Sequence, residues 1–145
     1  MRTAIINPAQ LVRPRGYNHG IKISGASALL FLGGQVGWDS EGCLVAKDSI
    51  ALQFDQALKN ILAVVQEAGG GAENIVKLNL YVTDKEAYLA ALKEMGESYR
   101  RYMGKHFPAM TLVEVKSLYD AGATSRVRSC VNTLVRRLHD YQASL

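Results

Sequence analysis

The sequence predicts an α+β domain, a single sheet with two helices on one face. Two stretches carry apolar residues at steps of three and four, the period of an amphipathic helix. Several short runs alternate apolar and polar residues, the period of a half-buried strand. Their order is strands, helix, strand, helix, strand, strand, which suits an α+β or α/β layer arrangement. The chain has 145 residues, enough for one domain over 1–145 with no linker or repeat to divide it. A chain of this size buries roughly 68–70% of its unfolded surface, so one core suffices.

The first strands are short. Ile23 precedes Gly25, and Leu29-Leu30-Phe31-Leu32 stops at Gly33-Gly34. The first helix is expected from about Ile50 to Ala68, with Ile50, Phe54, Leu58, Ile61, Val65 and Ala68 on one stripe. Asp48 or Ser49 can cap its start, and Gly69-Gly70-Gly71 ends it by reaching the left-handed conformation cheaply. Val76, Leu78, Leu80 and Val82 then alternate with Lys77, Asn79 and Tyr81. The second helix opens at Thr83-Asp84-Lys85-Glu86, a capping-box spacing. Tyr88, Leu92, Met95, Tyr99 and Tyr102 or Met103 form its stripe, and Gly104 and Pro108 close it. Val113 and Val115 alternate with Leu112, Glu114 and Lys116. Val127, Val131 and Val135 mark the last strand.

From this alternation the valine-rich face of the late strands is expected to meet the helices. The other face is expected to carry Lys77, Asn79, Tyr81, Met110, Leu112, Glu114, Arg128, Cys130 and Asn132. A face that mixes polar and apolar groups suits a subunit interface with polar pockets, or a solvent-facing sheet.

Composition narrows the function classes. The chain is 48% hydrophobic and 21% charged, with 17 basic and 13 acidic residues and a net charge of +4. That mild excess is a weak argument for nucleic acid. Cys43 and Cys130 show neither CxxC spacing nor a metal pattern and read as reduced thiols. No metal or other cofactor is implied. The start, Met1 to Pro8, has no long apolar run. No stretch approaches the ~18 apolar residues of a membrane span, and a cytoplasmic location is expected.

Several motifs, in order, resemble the RidA (YjgF) family over roughly Tyr17 to Val135. Gly16-Tyr17-Asn18-His19-Gly20 is similar to its Pro-Tyr-x-x-Gly segment, and Leu32-Gly33-Gly34-Gln35 to its Ser-Gly-Gln turn. Gln56 to Gly69 resembles its helix. Ile75 to Asp84 resembles its Val-x-Lys-x-x-Val-Phe-Val-x-Asp strand. Phe107 to Val115 resembles Phe-Pro-Ala-Arg-Ser-Cys-Val-Glu-Val. The resemblance implies a chorismate-mutase-like fold and a homotrimer, with a central β-barrel inside and helices outside. It also implies ligand clefts between subunits. In deaminating members an arginine grips the carboxylate of a small enamine or imine, and a glutamate-held water promotes its hydrolysis.

The same resemblance assigns the candidate residues. Tyr17 falls at the cleft tyrosine, whose hydroxyl can orient a ligand or a water; a packing tyrosine on a loop is the plainer alternative. Gly33 stands where many members have serine. Gly34 stands where a backbone carbonyl meets ligand, and a Gly-Gly pair permits close approach or simply a tight turn. Met110 replaces the carboxylate-binding arginine. Losing that charge-assisted bond costs about 1.5–3 kcal/mol of binding, roughly ten- to a hundredfold. Leu112 replaces the family cysteine. Glu114 keeps the family glutamate, in a catalytic role or as a structural charge. Strand parity puts Arg128 where deaminating members carry the water-holding glutamate, so Arg128 is a candidate anion site or a salt-bridge partner of Glu114. Trp38 is placed to roof the cleft or to pack at the trimer rim. Tyr88 lies near a cleft-lining aromatic and also on its helix's core stripe. His19 is an acid–base candidate or a solvated loop residue. His106 and His139 receive no role.

Three functions compete at this point. The first is a trimeric protein that binds a small, anionic metabolite and hydrolyses a reactive enamine, imine or related labile compound. The second is a non-catalytic metabolite sensor or carrier. The third, RNA binding or endoribonuclease action, rests on Arg100, Arg101, Lys105, His106, Arg136, Arg137 and His139, without a recognition motif, and is the least expected.

Overall fold

A computed structural model describes residues 2–26, 28–118 and 129–136, the last stretch by its backbone pairing. Strands β1 (Arg2–Ile6), β2 (Gly20–Ser24) and β3 (Leu29–Phe31) lead to helix α1 (Ile50–Glu67). After a 3₁₀ turn at Ala72–Asn74 come β4 (Ile75–Val82), α2 (Lys85–Ala90), α3 (Leu92–Met103), β5 (Ala109–Glu114) and β6 (Ser129–Arg136). Among the described residues no helix is long and apolar enough to cross a membrane.

The expected single sheet divides into two. β1 and β2 form an antiparallel hairpin, and the other strands form a four-stranded sheet in the order β3-β6-β4-β5. β5 runs parallel to β4, while β6 is antiparallel to both β4 and β3. α1 and α3 cover one face of this sheet, as the apolar stripes require. Phe54, Leu58, Ile61 and Val65 of α1 meet Leu78, Leu80 and Val82 of β4 and Met95, Tyr99 and Met103 of α3 in one core. Complete burial of Leu58, Ile61 and Leu78 stabilises the fold by about 1.5–3 kcal/mol each.

The helix ends follow local chemistry, with one departure. Ser49 Oγ accepts from the Leu52 N–H at 3.3 Å, which settles the first cap. Gly69, at φ +76°, turns the chain out of α1. For the second helix the cap is Asp84, whose carboxylate accepts from Ala87 N–H at 2.8 Å, rather than a Thr83/Glu86 box. An ionised carboxylate is the stronger acceptor at a helix N-terminus. The second helix is also broken at Ala91, whose N–H is shared between the carbonyls of Ala87 and Tyr88, so two short helices replace one long one.

A larger correction concerns β5. In the parallel ladder Met110 lies opposite Leu78, Leu112 opposite Leu80, and Glu114 opposite Val82. In-register neighbours share a face. Met110, Leu112 and Glu114 therefore point to the helix side, and Thr111 and Val113 share the other face with Asn79 and Tyr81. Lys77 Nζ donates to Thr111 Oγ1 at 2.6 Å across that open face. The valine-inward expectation holds in β4, where Val76 and Val82 are buried. It fails in β5, because apolar residues occur at both parities from Ala109 to Val115 and helix cover at β4 makes the choice.

Candidate functional site

A cavity of about 410 Å³ lies between α2–α3 and the edge of the sheet at β5, and it brings Tyr88 together with Met110. Met110 enters because β5 turns it beneath the helices. Tyr88 enters from α2, one turn beyond the Asp84 cap. The floor and wall are apolar, with Leu80, Met95 and Phe107, while Arg100 and Lys105 line the same cavity. Burial raises the Tyr88 hydroxyl above its ordinary value, so at neutral pH it is a neutral donor and acceptor.

The segment between α3 and β5 is held firmly. The Tyr99 hydroxyl donates to the His106 carbonyl at 2.7 Å, and the Tyr99 and Phe107 rings stack at 5.5 Å. His106 Nε2 lies 2.6 Å from the Ile75 carbonyl. A carbonyl can only accept, so this nitrogen carries the hydrogen. Burial also pushes the Tyr99 hydroxyl well above its usual range.

The Tyr17 loop is tied to the same place. Asn18 Nδ2 donates to the Phe107 carbonyl, and Asn18 N–H donates to Pro108 at 3.2 Å. Gly16 and Phe107 line both the cavity of Tyr88 and Met110 and an adjoining one of about 570 Å³ that contains Tyr17. The positive φ of Gly16, +72°, permits the turn that sets Tyr17 there. Tyr17 meets His19 edge to face at 5.4 Å. His19 Nε2 lies 2.8 Å from the Val12 carbonyl, which engages it in holding the loop.

The remaining candidates lie elsewhere in this chain. Gly34 and Trp38 line a separate hollow of about 480 Å³ with Gln56, Lys59 and Asn60 of α1. The cause is a clamp: Asn60 Nδ2 donates to the carbonyls of Val36 (3.2 Å) and Trp38 (2.9 Å). Gln53 Nε2 similarly holds Ala46 and Lys47. Gly33 is exposed, and its carbonyl accepts from Gln35 Nε2 at 3.2 Å. Leu112 is 39% exposed and lines none of these hollows. Glu114 Oε1 accepts from Lys85 N–H at 2.7 Å, at the first turn of α2. Arg128, Arg137 and His139 lie outside the described residues.

Sequence reasoning did not place Arg100 and Lys105 beside Met110 and Tyr88, having grouped them with Arg101 and His106 as a basic patch. The structure divides that group, because Arg101 pairs with Asp55 at 2.9 Å and His106 turns to Ile75. One signal was present: Gly96 stands one helical turn before Arg100, leaving room for the guanidinium to fold back. Among the described residues no group of three or more His, Cys, Asp or Glu side chains is placed to hold a metal ion.

Comparison with known proteins bears on the family and the fold. The endoribonuclease L-PSP family matches residues 9–125. A RutC family protein of Pyrococcus abyssi is 31% identical over 119 residues, covering 81% of this chain and 88% of that protein. Human 2-iminobutanoate/2-iminopropanoate deaminase is 27% identical over 89 residues, covering 61% of this chain and 62% of the human protein. Among solved structures, YyfB of Yersinia pestis, a protein of unknown function of the Rid family, superposes with a TM-score of 0.77 at 26% identity, covering 94% of this chain and 99% of that one.

Proposed function

The chain belongs to the Rid family, the YjgF, RutC and endoribonuclease L-PSP proteins, and from that premise we propose that it is a homotrimeric cytoplasmic protein that binds a small anionic metabolite in clefts between its subunits. Its reaction is hydrolysis of an enamine or 2-imino acid, run slowly. The observation that carries this reading is the convergence of Tyr88, Met110 and the Tyr17 loop at Gly16 and Phe107. Assembly is supported by the bare sheet face, where Leu29, Phe31 and Val113 are exposed while Leu30 packs on the core. Large apolar side chains exposed at both edges of one sheet face, β3 and β5, are the kind of surface a partner covers.

The expected slowness has a structural cause. Met110 supplies no charge to a substrate carboxylate, and Glu114 is engaged by the Lys85 amide. Hydrolysis needs a positioned water and a group to move its proton, and Tyr17 is the hydroxyl we assign to orienting them. With 2-iminopropanoate generated in the assay, ammonia release is expected at least tenfold below that of an arginine-bearing relative. Comparable rates would refute the reading. The engagement of Glu114 favours one further reading, a metabolite sensor or carrier without turnover. Binding detected by thermal shift with no ammonia release separates it from the first. Endoribonuclease action fits less well, since Arg101 and His106 of the basic patch are already engaged.

A further inference from the structure

We infer that the anion-binding group of this cavity is Arg100 of α3, assisted by Lys105, and that the ligand class is a carboxylate carrying a bulky apolar side chain. The inference rests on the cleft reading above and names what the cleft selects.

Charge and shape point the same way. Two cations line the cavity and no carboxylate does. Arg101 is neutralised by Asp55, whereas Arg100 and Lys105 form no ion pair among the described residues. Arginine near a helix C-terminus often serves the exposed carbonyls there, but Arg100 turns the other way. A Cβ at Gly96 would lie 3.4 Å from Arg100 Nη1, which places the guanidinium one turn back along α3. Beneath it the cavity is walled by Leu80, Met95, Phe107 and Met110. At about 410 Å³ it falls in the range of small-molecule sites, roughly 300–1,000 Å³. An arginine at position 110 would bring its charge into that apolar space. Methionine leaves it open for hydrocarbon and moves the charge to the mouth. A ligand that satisfies both regions has an anionic head at Arg100 and Lys105 and an apolar body against Met110 and Phe107.

Calorimetric titration of the full chain with 2-oxopropanoate, 4-methyl-2-oxopentanoate and the amide of the latter tests this. Each buried methylene adds about fourfold in affinity, so the branched acid is expected to bind some tens of times tighter than 2-oxopropanoate. The amide is expected at least tenfold weaker than the branched acid. Arg100→Gln should lose roughly ten- to a hundredfold for the acids and little for the amide. Arg100 is exposed, so the variant is expected to fold, and its melting curve checks this. If the acids bind Arg100→Gln as well as the parent, or the amide binds as well as the acid, the inference is overturned. In that case a loss of binding in Tyr88→Ala shows that the cleft reading survives. If no probe of either charge binds the parent, both fail together.

Discussion

Replacing Glu114 separates a structural carboxylate from a catalytic one. Its Oε1 accepts from the Lys85 N–H at 2.7 Å, one of the free donors at the start of α2. A charge-assisted bond of this kind contributes about 1.5–3 kcal/mol when shielded. Glu114 is exposed, and Asp84 still satisfies Ala87 after its removal, so the loss in Glu114→Ala should fall near the usual value of a lost cap, about 1 kcal/mol. For a chain of this size that lowers Tm by roughly 3 °C. Glu114→Gln keeps an acceptor oxygen and forfeits only the charge–dipole part, about 0.3–1 kcal/mol, so it should lie between the two. Differential scanning calorimetry reads the Tm order as parent, Gln, Ala. Ammonia release at a temperature where all three are folded should differ by less than twofold. An Ala variant with unchanged Tm and a tenfold or greater loss of turnover would refute the reasoning and make Glu114 a catalytic group.

Three further outcomes follow from packing and burial. Leu58→Ala removes a side chain with no exposed surface and should destabilise by about 2.7–5 kcal/mol, read by urea unfolding with an unchanged m-value. Gly37→Ala places a Cβ 2.7 Å from Gln53 Cα, a backbone atom that cannot swing away, and should cost about 1–3 kcal/mol; a gain in stability would show that the 35–47 loop shifts freely. Burial raises the Tyr99 hydroxyl above its ordinary value of 10.0, so the folded state keeps that proton longer than the unfolded chain. Its contribution is therefore full below about pH 10 and falls as pH rises above it. Tm should drop above pH 10 more steeply in the parent than in Tyr99→Phe, and parallel slopes would contradict the assignment.

The sequence by itself determined the first helix, the helical stretch after Asp84 though not its break at Ala91, the β4 strand and the family. Each depends on local periodicity or on short motifs whose order survives divergence. Ile50 to Val65 repeat at three and four, Leu78, Leu80 and Val82 repeat at two, and Ser49 and Gly69 mark ends that local hydrogen bonding fixes. Three positions assigned by motif, Tyr17, Tyr88 and Met110, line two adjoining cavities that share Gly16 and Phe107. Gly34 and Trp38 were not separable from them in sequence, because only Asn60 reaching across from α1 shows where their loop goes.

The tertiary structure alone decided which way β5 faces and which residues share the cavity of Met110. From Ala109 to Val115 apolar side chains occur on both parities, so no period chooses a face. The choice comes from parallel register with Leu78 and Leu80, whose own face α1 and α3 already cover. Arg100 and Met110 are far enough apart in sequence, on a helix and a strand, that no local pattern links them. They share a cavity whose lining combines residues of α2, α3, β4 and β5, with Met110 partly buried and Arg100 exposed.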